Sequence, residues 1–293
     1  MLERALDGVL GDEVGPAIAD HADYEGVTAV HVVHGVPTIF PLRTRGGAIS
    51  CARMTARIVA LSFDANDPLD LARFWAQALG TEIARTAGDE VVLAPVAGVA
   101  FEIAFQPVAE KKVGKNAIHL DLTTASVADR DATVVRLIGL GARPVDIGQG
   151  PDDAHVVLAD PEGNELCVIE PGNRFLAGAP RLGSVTCDGS RAVGCFWSAA
   201  LGWPLVWDQD GETAIRAPDG TGPFVTWGPP VPAKTAKNRL HLDIAPPAGG
   251  DQRAEVERLV SLGARRVDIG QGDVDWVVMA DPDGNEFCVL TPR

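Results

Sequence analysis

The strongest constraint on this chain is that it is written twice. LGARPVDIGQG at Leu140–Gly150 recurs 122 residues later as LGARRVDIGQG at Leu262–Gly272, and the two differ only at Pro144 against Arg266. The same spacing carries FWAQALG (Phe74–Gly80) onto FWSAALG (Phe196–Gly202) and His119 onto His241. After the glycines the spacing shortens by one, so ADPEGNELCVIEP (Ala159–Pro171) matches ADPDGNEFCVLTP (Ala280–Pro292). A fixed-period repeat decides the architecture before any local reading does. It predicts two related domains, residues 54–172 and 181–293, joined by a linker at 173–180. A length of 293 residues also suits two domains.

Residues 1–53 match neither copy. Met54 opens MTARIVALSFDA, a natural domain start, so the first 53 residues are expected to be an extension, flexible or not native. A short added strand is the other reading, with VTAVHVV the segment for it. His31 and His34 are three apart there and are not expected to bind metal.

Each domain reads as strand, helix and three strands, used twice. ARIVALSFDA is β-branched and alternating, hence a strand. LDLARFWAQALG places Leu71, Phe74, Trp75, Ala78 and Leu79 at helical spacing and stops at Gly80. TEIARTA, EVVLAPV and VAFEIAFQ follow as strands. AIHLDLT then opens a second βαβββ module, with the helix ADRDATVVRLIGLG and the strands ARPVDIG, HVVLAD and ELCVIE. DPEGN and DPDGN have the Pro and Gly that a tight hairpin turn requires.

The ordered set of FW-x3-LG on the first helix, HLDL opening the second module, LGA before the sixth strand and DPEGNE or DPDGNE near the end resembles the vicinal oxygen chelate superfamily. The similarity is to its glyoxalase-like and bleomycin-resistance-like members, and it covers nearly everything from Thr55 onward. It implies an α+β fold: two tandem domains, each of two paired βαβββ modules, forming cupped mixed sheets with helices on the convex side and the ligand in the cup. It also implies that the two domains pack as a pseudo-dimer within one chain.

Strand side chains alternate with period two. In AIHLDLT, Ile118, Leu120 and Leu122 share the helix-facing side, which turns His119 and Asp121 into the cup. The same alternation turns Ser62, Asp64, Glu102, Gln106, Glu165 and Cys167 inward. The first cup is therefore expected to gather Ser62, Asp64, Glu102, Gln106, His119, Asp121, Glu165 and Cys167. The second is expected to gather Ser184, Thr186, Thr226, His241, Asp243, Glu286 and Cys288. Trp207 and Trp276 replace Arg85 and His155, and read either as an aromatic rim for a flat ligand or as a contact between domains.

Metal-dependent members of the superfamily hold a divalent ion with side chains on the first, fourth, fifth and eighth strands, usually His or Gln and Glu. Carried over, these positions are Ala60 or Leu182, Glu102 or Phe224, His119 or His241, and Cys167 or Cys288. Alanine and leucine bind no metal, so the set is broken in both copies. What remains for Zn, Ni, Mn or Fe in the first domain is His119 with Glu102 and Cys167, with Glu165 or Asp121 nearby, and in the second His241 and Cys288 with Glu286 or Asp243. His119 has two further readings: a hydrogen-bonded polar anchor, or an acid–base group beside carboxylates, acting with Glu102. Cys167 and Cys288 read more readily as inert thiols than as nucleophiles.

Three function classes follow. The leading one is a protein binding a small organic molecule, sequestering a toxic or antibiotic compound. The competing one is a lyase, isomerase or dioxygenase of glyoxalase type, using a divalent metal or His119 and Glu102. The third is a structural interaction module. A net charge of −15 argues against nucleic acid or an anionic membrane as partner. Five cysteines without a CxxC pair suggest a reduced, cytoplasmic protein. No apolar run approaches membrane length, and the N-terminus has no secretory pattern. The expected partner is a small molecule, with the chain a monomeric pseudo-dimer or a homodimer.

Overall fold

The computed structural model describes residues 30–33, 36–39, 55–150, 154–231 and 233–293. Met1–Ala52 forms a unit of its own, in which β1 (Val30–Val33) pairs antiparallel with β2 (Val36–Ile39). The rest of the reading of residues 1–53, with His34, lies outside the described residues.

Arg53–Arg293 is the second unit. It contains four βαβββ modules. The first is β3 (Arg57–Ala65), α1 (Pro68–Leu79), β4 (Ile83–Ala87), β5 (Glu90–Leu93) and β6 (Glu102–Pro107). The second is β7 (Ile118–Leu122), α2 (Val127–Gly139), β8 (Arg143–Pro144), β9 (Val156–Ala159) and β10 (Glu165–Val168). The third is β11 (Leu182–Asp188), α3 (Arg191–Leu201), β12 (Leu205–Gln209), β13 (Glu212–Ile215) and β14 (Phe224–Gly228). The fourth is β15 (Leu240–Ala245), α4 (Gln252–Ser261), β16 (Arg265–Arg266), β17 (Val277–Ala280) and β18 (Glu286–Val289). None of the described helices is long and apolar enough to cross a membrane.

Two eight-stranded mixed sheets result, and each draws on both repeats. One runs β12-β13-β14-β11-β7-β10-β9-β8; the other runs β16-β17-β18-β15-β3-β6-β5-β4. The seams are antiparallel: β11 on β7, with Thr186 opposite His119, and β15 on β3, with His241 opposite Ser62. The third module thus completes the sheet of the second, and the fourth completes that of the first.

The modules within one repeat are tied together through helix ends and turns instead. Trp75 Nε1 on α1 donates to Asp160 Oδ2 at 3.1 Å, and Trp197 Nε1 on α3 donates to Asp281 Oδ2 at 3.4 Å. Glu162 accepts from the backbone amides of Asn66 and Asp67 at 2.9 and 2.8 Å. Asp283 does the same for Ser190 at 2.6 Å. Carboxylates at helix N-termini meet the free amides and the positive end of the helix dipole. That is the use of the acidic residue in each DPxGN turn.

The local signals explain the elements. Asp67 caps α1 by accepting from Asp70 N, Pro68 occupies the first turn, and Gly80 closes the helix with φ at 71°. Leu61, Phe63, Phe105 and Trp75 form a dry stack between β3, β6 and α1, with Phe63 and Trp75 ring centroids 5.3 Å apart. Trp197 and Trp227 repeat this under α3, stacked at 6.3 Å. One local expectation fails: ARPVDIG forms a strand over only Arg143–Pro144. Asp146 Oδ1 accepts from Gly148 N, and Gln149 Oε1 accepts from Ile147 N, so side chains take the amides a strand would have paired. Asp268 and Gln271 build the same loop in the other repeat.

Candidate functional site

The crosswise pairing rearranges the expected cups. Ser62, Asp64, Glu102 and Gln106 do line one cavity, of about 560 Å³, but with His241, Asp243, Glu286 and Cys288 rather than with His119, Asp121, Glu165 and Cys167. His119 and Asp121 lie in the other sheet and share a cavity of about 420 Å³ with Thr186, Thr226 and Trp207. The reason is the seam: β3 pairs with β15 and not with β7. The paired assignment of His119 and Glu102, as catalytic groups or as metal ligands, is therefore overturned, because they stand on different sheets. The Trp rim is corrected likewise: Trp276 lines the first-and-fourth-module cup and Trp207 the other. The register also places Ser184, not Leu182, in the place of Ala60. Ala60 faces Glu102 and Asp243, while Ser184 faces Phe224 and Asp121.

The first-and-fourth-module cup is lined by several paired charges. On its floor, Ser62 Oγ donates to Asp243 Oδ2 at 2.7 Å, and His241 Nε2 lies 3.3 Å from Asp243 Oδ1. Asp243 Oδ1 makes no hydrogen bond despite its burial, since the His241 contact is poorly aligned. Burial opposes charge on His241, but Asp243 and Cys288 beside it outweigh that and hold its pKa well above the ordinary histidine value. Burial likewise works against Asp243, yet His241 and Ser62 keep its carboxyl below its usual range. Burial pushes the Cys288 thiol up, so Cys288 is a poor free nucleophile.

On the wall, Arg85 grips Glu102 with two bonds of 2.9 and 3.0 Å, and Gln106 Nε2 donates to Glu90 at 2.8 Å. The Arg85 bonds draw the Glu102 pKa below the ordinary carboxylate range. In this structure the Glu102 carboxylate is engaged by Arg85 rather than free. Replacing Arg85 with alanine is expected to return Glu102 to a normal titration, read by NMR. The stability change should stay under about 1 kcal/mol, because both partners are half-exposed. On the rim, Lys237 Nζ meets Asp64 at 2.6 Å, Lys234 holds Glu286, and Trp276 stands 41% exposed. Ile269, Gly270 and Gln271 of the VDIGQG loop close one side, as a strand end and turn at the rim of the cup would.

In the other cup, Ser184 and Thr186 donate to Asp121 Oδ2 at 2.6 and 2.7 Å, and His119 Nε2 lies 3.4 Å from Asp121 Oδ1. Glu165 is spent on Lys112 Nζ at 2.8 Å and Asn116 N at 3.1 Å and borders neither cavity. A third cavity, of about 720 Å³, lies between residues 108–117 and 233–239 and adjoins the first cup at Asp64 and Lys237. Its Lys115, Lys234, Lys237 and Arg239 are each held in an ion pair.

Among the described residues, two sets of donor atoms have metal-ligand chemistry: His119, Asp121 and Cys167 on one sheet, and His241, Asp243 and Cys288 on the other. Imidazole, carboxylate and thiolate suit Zn. The orphaned Oδ1 of Asp121 and of Asp243 points among these atoms, while hydroxyls orient Oδ2. These residues fit a divalent ion.

Comparison with known proteins agrees with the architecture. The family model for a glyoxalase-like domain matches twice, over residues 60–169 and 184–290. No curated protein sequence matches. Among solved structures, glyoxalase I from Zea mays is similar at a TM-score of 0.56 and 14% identity, over 81% of this chain and 92% of that one. A variant of the same enzyme gives 0.53 and 15%, over 81% and 92%. At such identity the likeness speaks for the fold alone. Taken with the four modules and two cupped sheets, the double match means that the chain belongs to the glyoxalase-like family, as a tandem-domain member of the vicinal oxygen chelate superfamily.

Proposed function

We propose that the protein binds a small organic molecule in the cup of its first and fourth modules, in the manner of a sequestering or resistance protein. One observation carries this reading. Of the four positions at which metal-dependent relatives hold their ion, the first-strand one here is Ala60, and the fourth-strand carboxylate, Glu102, is clamped by Arg85. What remains is a cavity of about 560 Å³, a size suited to a drug-sized ligand. Its wall and rim carry the pairs Arg85–Glu102, Lys237–Asp64 and Lys234–Glu286, and Trp276 offers a face for stacking. The test is tryptophan quenching and thermal shift with a panel of flat aromatic and antibiotic compounds. Saturable binding is expected, weakened by up to about tenfold in Trp276→Ala, the loss of one aromatic contact. A panel without saturable binding, or binding indifferent to Trp276, would count against the proposal.

A second reading is favoured by the orphaned Asp243 Oδ1 beside His241 and Cys288. These three residues would hold a divalent metal, which supplies Lewis-acid polarisation of a ligand oxygen when bound. This is the lyase, isomerase or dioxygenase alternative, moved from His119 and Glu102 to His241, Asp243 and Cys288. Elemental analysis of the purified chain after exposure to Zn, Ni, Mn and Fe(II) decides it. Near-stoichiometric metal that is lost in His241→Ala supports the enzyme reading, and its absence from all samples leaves the binder.

A further inference from the structure

The two cups are related by the repeat, yet only one retains its full floor. Cys288, Val278, Leu290 and Glu102 all line the first-and-fourth-module cavity. Their counterparts in the other cup are Cys167, Val157, Ile169 and Phe224, and none of these four borders the smaller cavity. Something covers them, and it is the segment between the two repeats.

Leu176 is buried in one cluster with Cys167, Val157, Ile169, Ala214 and Phe224, and Phe175 packs against it. The Phe175 ring lies 5.2 Å from that of Phe224 and meets Trp207 edge-on at 5.5 Å and 81°. The segment is fastened at several points. Asn173 Oδ1 accepts from Leu176 N at 3.1 Å, Arg216 Nη2 donates to Gly178 O at 2.9 Å, and Thr123 Oγ1 donates to Pro180 O at 2.8 Å. Arg216 also lies over the Phe224 ring at 4.5 Å. The receiving surface differs in kind from the other cup: Trp207 and Phe224 stand where the first cup has Arg85 and Glu102. An aromatic surface facing an aromatic side chain is a complementary fit.

We infer that the linker is an internal ligand of the second-and-third-module cup, with Phe175 and Leu176 occupying the place of an apolar aromatic molecule, so that one complete ligand site remains per chain. This rests on the reading that the cups are ligand sites, but its test needs no ligand for the first cup. The full chain, Phe175→Ala and Phe175→Ala/Leu176→Ala are alkylated with N-ethylmaleimide and mapped by peptide mass spectrometry. Cys167 should react at least about tenfold faster in the variants, with Cys288 and Cys187 unchanged. N-phenyl-1-naphthylamine, a neutral aromatic probe, should bind the variants at one additional site and slow Cys167 alkylation again. A folded variant in which Cys167 reacts at the original rate overturns the inference, and so does probe binding that leaves Cys167 unprotected. If the double variant does not fold, Phe175→Ala alone decides by the same readout.

Discussion

Asp160→Ala is expected to cost about 3–5 kcal/mol, on the scale of breaking a buried charged network. Asp160 is wholly buried in the DPEGN turn. Its Oδ1 accepts from the amides of Glu162 and Asn164 at 3.0 and 2.8 Å, and its Oδ2 from Asn164 Nδ2 and Trp75 Nε1 at 2.9 and 3.1 Å. Truncation strands four donors, three of them buried. It also cuts the link between α1 and the second module, one of the few ties holding a repeat together once its modules have joined different sheets. Burial pushes the Asp160 pKa up to about 6 against the pull of these donors, and Asp281 likewise to about 6. The sign follows from linkage. A carboxyl whose folded pKa exceeds its unfolded value binds more protons folded, so its contribution to stability falls as pH rises from about 4 to about 6 and is flat above. Between pH 4.5 and 7.5 the Asp160 site should therefore lose about 2 kcal/mol in the parent chain. Asp160→Asn, which keeps an acceptor and cannot titrate, should lack that change. Chemical denaturation of both proteins at the two pH values measures the difference. It cancels the opposite trend from Asp121 and Asp243, whose carboxyls burial penalises but whose histidine neighbours hold below the usual range. Equal slopes in the two proteins would refute it.

How much of this the sequence disclosed can be seen residue by residue. The alternation that sent Leu61 and Phe63 to the core and Ser62 and Asp64 to a cavity holds, because period two is fixed by the backbone. The helix stop at Gly80 holds, because only a left-handed residue ends that turn cheaply. The partner of β3 was not legible. The rival strands KNAIHLDL and KNRLHLDI carry the same His-x-Asp pattern, so side-chain complementarity does not distinguish them. The choice rests on which connection lets both sheets close, a property of the whole chain. The register of β11 was hidden because the chain from strand to helix tryptophan is two residues shorter in the third module (Asp188 to Trp197) than in the first (Asp64 to Trp75), which moved Ser184 into the place given to Leu182. The linker did carry a readable signal: Phe175 and Leu176 are adjacent large apolar residues in a short stretch punctuated by Gly172, Asn173, Gly178 and Pro180. Such a pair needs burial, and composition alone obscured it.

Gly194→Ala should be the most damaging single-methyl addition among the described residues, costing about 3 kcal/mol, the upper range for overpacking. Gly194 lies within α3, and a Cβ there would stand 1.9 Å from Thr213 Oγ1 and 2.6 Å from Thr213 Cβ on β13. Both positions are buried, so α3 must lift from its sheet or β13 must yield. In the first repeat the corresponding pair is Ala72 and Val91, both fully packed, so α1 there accepts the methyl that α3 refuses. Gly139→Ala at the end of α2 is the control: nothing lies within 4 Å of the new methyl, and higher helix propensity should stabilise by up to about 1 kcal/mol. Thr213→Ala in the Gly194→Ala background should recover part of the loss, because it removes the nearest atom but leaves the Cβ contact. The recovered amount, measured as a coupling energy by urea unfolding, reports how far the helix has lifted. Thr213 borders the second-and-third-module cavity and Gly194 lies behind it, whereas the proposed ligand site is built from the other two modules. A chain weakened in this way but still folded should bind an aromatic ligand with unchanged affinity. A drop in affinity without a drop in folded fraction would show that the two cups are coupled and that the site is not confined to the first and fourth modules.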